Sequence, residues 1–109
     1  SFLMQETKEY FLSLHLDGKN RILCVDIVSI GSLNQSIVHP REVFKTALVS
    51  SAAAIILIHQ HPSGDPKPSS EDISITRRLK ESGELLGIKV LDHIIIGTDY
   101  LSMLEEGLM

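Results

Sequence analysis

The chain has 109 residues, 43% hydrophobic and 22% charged, ordinary globular values that exclude a disordered or fibrous class and allow one domain around one core. Its formal net charge of −4 argues against bulk attraction to nucleic acid; Lys67, Arg77, Arg78 and Lys80 are the basic residues that come close together in sequence, and on a helix they make a solvated face. A single cysteine, Cys24, excludes an intramolecular disulfide and fits a reducing compartment. No signal peptide is visible and no apolar run approaches the roughly 20 residues that span a bilayer, so the expected location is the cytoplasm.

In chain order, Ser1 to Lys8 reads as a frayed lead-in or a short helix. Glu9 to Leu16 alternates, with Ser13 and His15 set between Leu12, Leu14 and Leu16, which predicts a strand with one better-buried face. Asp17-Gly18-Lys19-Asn20 supplies turn residues for a hairpin, and Arg21 to Ile30 is the returning strand. Cys24, inside the apolar run Ile22-Leu23-Cys24-Val25, is expected to be a small buried hydrophobe. Gly31 and Asn34 break that strand, and Ser36-Ile37-Val38 suggests a short edge strand.

Pro40 stands at a first helical position, and Val43, Phe44, Ala47 and Leu48 follow at helical spacing to about Ser50. The apolar run Ala52 to Ile58 predicts a central strand covered on both faces, delivering His59 and His61 at its C-terminal end. A second helix is expected from Ser69 or Ser70 to about Leu85, with Ile73, Thr76, Leu79, Gly83 and Leu86 along one face and Gly87 as its C-cap. Ile88 to Ile96 is a further strand, Gly97 a turn, and Tyr100 to Met103 a short last strand. The order gives an α/β fold: one domain with a mixed sheet flanked by helices.

Chemistry concentrates between His59 and Asp72. Two histidines two residues apart on a strand share a face, about 7 Å apart along the backbone. A loop rich in Pro and Gly then brings Ser69 and Asp72 back at a helix start. Two imidazoles and a carboxylate suit zinc, and three protein ligands leave a fourth position open, which is a catalytic count. The pieces also have plainer readings: His61-Pro62 as a turn histidine, and Ser69-x-x-Asp72 as a capping box with Asp in place of Glu.

The pattern His59-x-His61, seven residues, Ser69, two residues, Asp72 resembles the JAMM motif of the MPN/JAB metalloprotease superfamily. Three segments resemble the signatures of its bacterial RadC-like branch, in that branch's order: Val38-His39-Pro40-Arg41-Glu42-Val43-Phe44, His61-Pro62-Ser63-Gly64-Asp65-Pro66 and Leu91-Asp92-His93-Ile94-Ile95-Ile96-Gly97. The resemblance covers nearly the whole chain. It departs at Gln60, where Asn is usual and where the side chain is expected to point away from a metal. It departs also in lacking the N-terminal helical region such proteins usually carry, so residues 1–109 are expected to be the C-terminal part of a longer protein.

The resemblance implies a cytidine-deaminase-like, MPN (JAB) architecture and one zinc per chain on His59, His61 and Asp72. It implies Ser69 as donor to the oxyanion and an upstream glutamate as general base. Glu9 matches that glutamate by position; Glu42 is the competitor, with a structural role open to it in a first helical turn, and Glu6 is a third choice. The implied activity is cleavage of peptide or isopeptide bonds in a peptide or protein substrate, with no membrane partner. The alternative, from another class, is a metal-containing binding module without catalysis that acts in DNA repair or recombination, although nucleic acid is an unfavourable partner for this domain alone. His93 is expected in the core or behind the ligands, His15 and His39 are structural, and Asp65 and Glu71 solubilise the loop.

Overall fold

The computed structural model describes residues 8–31 and 38–109. Five strands and two helices follow in the order β1 (Glu9–Leu16), β2 (Ile22–Gly31), α1 (Pro40–Val49), β3 (Ala54–Gln60), α2 (Ser70–Leu86), β4 (Lys89–Ile96) and β5 (Tyr100–Ser102). The expected lead-in and most of the expected strand at Ser36-Ile37-Val38 lie outside the described residues. Among those described, no helix is long and apolar enough to cross a membrane.

Local chemistry sets the element ends. The Asp17 carboxylate accepts the backbone N–H groups of Lys19 and Arg21 and pairs with the Arg21 side chain at 2.8 Å. Asn20 takes the left-handed conformation that closes this hairpin. Pro40 opens α1, where its missing N–H is no loss. In α2, Ser69 caps the N-terminus and Gly87, at φ 73°, ends the helix in the left-handed conformation.

The strands form one mixed sheet in the order β2-β1-β3-β4-β5. β1 pairs antiparallel with β2 and β3, and β4 with β5; β3 and β4 run parallel, with α2 as the crossover between them. Both helices cover the same face. Val43, Phe44 and Ala47 of α1 and Leu79 of α2 join Phe11, Ile55 and Leu57 of the sheet in a single core. Thr46 of α1 also reaches over β2 to donate a 2.6 Å hydrogen bond to Asp26.

Four sequence expectations are overturned, the first two by this one-sided cover. The covered face of β1 carries Phe11, Ser13 and His15, whereas Leu12 and Leu14 point to the other side and are half-buried. In β3, Ile56 and Ile58 are likewise only half-buried, so this central strand is not enclosed on both faces. Cys24 is exposed rather than buried, because β2 is the edge strand and little packs over its end. At the end of α2, Leu86 is 47% exposed, because the helix has by then run past the sheet's cover.

Gly83 lies where α2 comes close to the backbone that leads into β4. A methyl there would collide with the Ile88 carbonyl and touch Phe44 and Val90 at 3.4 Å. Replacing a helical glycine by alanine gains about 1 kcal/mol of propensity, but overpacking against backbone costs about 1–3 kcal/mol. Gly83→Ala is therefore expected to lower the urea midpoint, with the slope of the transition unchanged.

Candidate metal centre

The C-terminal end of β3 and the first turn of α2 build the site together. The strand turns His59 toward the helix-covered side, beside Phe11 of β1 with ring centroids 5.4 Å apart. His61 follows directly after the strand, and its N–H donates to the Ile96 carbonyl at 2.8 Å, continuing the parallel pairing by one residue. The loop is then clipped to the β4–β5 turn. Thr98 donates to the Gly64 carbonyl at 2.6 Å, and any side chain at Gly97 would collide with that same carbonyl. This fixes the loop at Gly64 before it returns to α2.

At the start of α2, Asp72 N–H donates to Ser69 Oγ at 3.1 Å and Ser69 N–H donates to Asp72 Oδ2 at 2.8 Å, a complete capping box. The plain reading of that pair is therefore correct, and it coexists with a second role. The same carboxylate meets His59 Nδ1 through Oδ1 at 2.9 Å and His61 Nε2 through Oδ2 at 3.1 Å. One ligand atom from each of His59, His61 and Asp72 lies within 4.8 Å of the others. His59 and Asp72 are only 7% and 3% exposed.

The proton inventory tests whether a cation fits. His61 Nδ1 lies 2.9 Å from the Asp65 carbonyl, which can only accept, so this nitrogen carries the proton of a neutral ring. Its Nε2 lone pair would then face the Asp72 carboxylate, another acceptor. Such a contact needs positive charge, supplied either by a second proton on the ring or by a metal ion. Without metal the hydrogen bond to Asp72 raises the His61 pKa, against the opposing effect of burial. Burial works to raise the Asp72 carboxyl, but the hydrogen bonds from His59, His61 and Ser69 outweigh it and hold the group well below the usual carboxylate range. His59 Nε2 is buried without a hydrogen-bond partner among the described residues, 3.8 Å from Glu9 Oε2. Two imidazoles and a carboxylate, with one nitrogen oriented by a backbone carbonyl, are a donor set that fits zinc.

The residues expected from the sequence divide clearly. His59, His61, Ser69 and Asp72 meet, and Glu9 at the start of β1 lies beside His59. Glu42 is exposed in the first turn of α1, and among the described residues it has no ion pair with a histidine. Glu6 lies outside the described residues. Gln60 points to the opposite face of the sheet from His59, as its strand position requires. Asp65 acts through its backbone carbonyl, which its side-chain chemistry does not announce.

The sequence reading placed His93 in the core or behind the ligands and Thr76 along one face of α2; what it missed is the bond that joins them. Thr76 spends its one hydroxyl proton on the Asp72 carbonyl at 2.6 Å, so His93 Nδ1–H must donate into the Thr76 oxygen at 2.5 Å. The His93 ring, wholly buried, stacks on His59 at 6.0 Å between centroids, so it braces both a candidate ligand and the turn that carries another. Asp92 fixes the β4 backbone here by accepting from His93 N–H, Ser102 Oγ and Leu104 N–H. A threonine one turn after Asp72 was the available signal, since that spacing places it on the buried side of the helix.

Residues 1–108 match the family model described as RadC-like JAB domain. Among curated relatives, a UPF0758 protein of Geotalea uraniireducens is 70% identical over 103 residues, 94% of this chain and 45% of that protein. One from Trichlorobacter lovleyi is 67% identical over 108 residues, 98% of this chain and 47% of that protein. One from Methanosarcina mazei is 59% identical over 106 residues, 96% and 46% respectively. The chain thus spans somewhat less than half the length of these relatives.

Burial pushes the His93 pKa down to about 4, with the His59 ring adding to the effect. A folded pKa below the unfolded value of about 6.5 stabilises fully above that value, and the contribution is lost as pH falls toward 4. The stability difference between the metal-free parent and His93→Asn is expected to shrink by up to about 3 kcal/mol across this window, measured by urea titration at each pH.

Proposed function

The chain belongs to the RadC-like JAB domain family, and on that premise we propose that it is a zinc-dependent hydrolase of peptide or isopeptide bonds. The observation that carries this reading is the convergence of His59, His61 and Asp72 within 4.8 Å, with the Glu9 carboxylate 3.8 Å from His59. These three residues would hold one zinc ion, which supplies Lewis-acid polarisation and brings the pKa of a coordinated water to near 7.

The chain's own residues supply the remaining functions. The Glu9 carboxylate, partly open to solvent, would accept a proton from the attacking water and return it to the departing amine, which cannot leave as an anion. Ser69 Oγ accepts the Asp72 N–H and keeps its own hydroxyl proton uncommitted on an exposed residue. It could therefore donate to the oxyanion that develops on the attacked carbonyl, a contribution commonly worth a few kcal/mol. His93 and Thr76 would hold His59 and Asp72 in register for this chemistry. The proposed substrate is peptide or protein rather than nucleic acid, given the net charge of −4, and the proposed location is the cytoplasm.

Protein purified without added metal or chelator should contain one zinc per chain by elemental analysis. His59→Ala and Asp72→Ala should each lose it, since two remaining ligands hold zinc poorly. A parent that neither carries zinc nor takes it up when supplied refutes the reading.

The proton acceptor can be tested apart from the metal. Glu9→Gln should keep zinc content and thermal stability near those of the parent while turnover falls by about 10²- to 10⁴-fold. Ser69→Ala should lose less turnover but about 1 kcal/mol of stability, because its cap is removed. Full activity in Glu9→Gln would assign the base elsewhere. Full zinc occupancy with no cleavage across peptide and isopeptide libraries would favour the metal-containing binding module instead.

A further inference from the structure

Beside α2 the C-terminal tail leaves a groove that the candidate metal centre does not use. Met103 is wholly buried, its Sδ 3.6 Å from Thr76 Oγ1. From there the tail folds back on itself. Gly107 N–H donates to the Leu104 carbonyl at 3.1 Å and Leu108 N–H to the Met103 carbonyl at 2.8 Å, with Gly107 in the left-handed conformation at φ 70°. Met109 then packs against the core. Between this tail and α2 lies a cavity of about 320 Å³, lined by Ile73, Arg77, Lys80, Gly107, Leu108 and Met109. Ile73, Arg77 and Lys80 stand at helical spacing on one stripe, next to the buried stripe of Asp72, Thr76, Leu79 and Gly83.

The two cations on this stripe are uncompensated. Among the described residues neither Arg77 nor Lys80 forms an ion pair. Glu81 and Glu84 follow them at i, i+4, but with the base N-terminal to the acid, the weaker order for such a pair. In a chain of net charge −4, two free positive groups therefore stand over an apolar floor of Ile73, Leu108 and Met109. None of the six lining residues is aromatic, so the groove offers no stacking platform for a nucleobase. A bare phosphate would leave the apolar floor uncovered. We propose that the groove binds a peptide segment in which an acidic residue sits beside an aliphatic one, the carboxylate meeting Arg77 and Lys80 and the aliphatic side chain covering Ile73, Leu108 and Met109. Ligand sites run from about 300 to 1,000 Å³, and a cavity at the small end of that range suits one or two side chains. The hydrogen bonds of the tail hold one wall in place beforehand, so little ordering is left to lose on association. None of the six residues is a candidate zinc ligand, so binding here depends neither on metal nor on cleavage.

Backbone amide shifts of the isotope-labelled chain, recorded at low salt with a chelator present, test this apart from the metal. The end-blocked peptide Leu-Asp-Leu is expected to shift Ile73, Arg77, Lys80 and Leu108 and to saturate with a Kd on the order of 1 mM. The isosteric Leu-Asn-Leu should bind about 10-fold more weakly, because it lacks the charge that the two cations meet. Arg77 is exposed and Lys80 half-buried, so the double variant Arg77→Gln, Lys80→Gln should keep the parent's circular dichroism and lose affinity for Leu-Asp-Leu by about 10-fold or more. Should that variant fail to fold, the comparison of the two peptides on the parent still decides. Equal binding of both peptides, a folded variant that binds like the parent, shifts confined to other residues, or no saturation by about 10 mM peptide overturns the proposal. Inorganic phosphate that reproduces the same shifts at the same concentration would assign a simple anion site, and overturns it too.

Discussion

Asp72 answers two demands at once, and the candidate site depends on its doing so. As the third residue of α2 it accepts the Ser69 N–H and completes the capping box, and with the rest of the same carboxylate it receives His59 and His61. A group held by its own helix start cannot turn away to relieve crowding. Positive charge therefore has to come to the carboxylate, as a proton on His61 or as a metal ion. Helix capping thus fixes the position of a donor that zinc would otherwise have to organise, and less conformational entropy remains to be lost on binding.

The parallel pairing of β3 with β4 supplies the other half of that constraint. Parallel neighbours need a crossover, and α2 is that crossover, so the helix start must lie near the C-terminal end of β3. Ligands at strand ends and a carboxylate at the following helix start are then brought together by topology, with the Gly64 and Gly97 clip removing the slack in the loop. β1, antiparallel to β3, puts Phe11 opposite His59 and Glu9 close by. Four separated stretches of sequence meet at one corner of the sheet for this reason.

The covered face bears a cost for this arrangement. Among the described residues, Ser13 Oγ, His15 Nε2 and His93 Nε2 are buried without hydrogen-bond partners, each a penalty of about 1–3 kcal/mol. An apolar set there would pack more favourably. His93 has a compensating function in bracing His59 and Thr76, and His15 anchors Ser50 at the end of α1 at 2.7 Å; nothing in the structure explains Ser13.

Element positions and the central constellation were legible because both rest on local rules. Pro40, Ser69, Gly87 and the Asp17–Asn20 turn act through the backbone within a few residues, and the boundaries of α1, α2 and the first hairpin follow from them. The spacing of His59, His61, Ser69 and Asp72 is likewise a statement about one strand end and one helix start. What the sequence could not decide was which side of the sheet the helices would occupy. An alternating strand has the same period whichever face is covered, and leucines separated by Ser13 and His15 point to the wrong one. Only the packing of α1 and α2 together on one side leaves Ile56 and Ile58 half open and places His93 behind His59. It also separates Glu9 from Glu42, which sequence position alone leaves as rivals, because proximity to His59 is set by strand pairing between residues fifty apart in the chain.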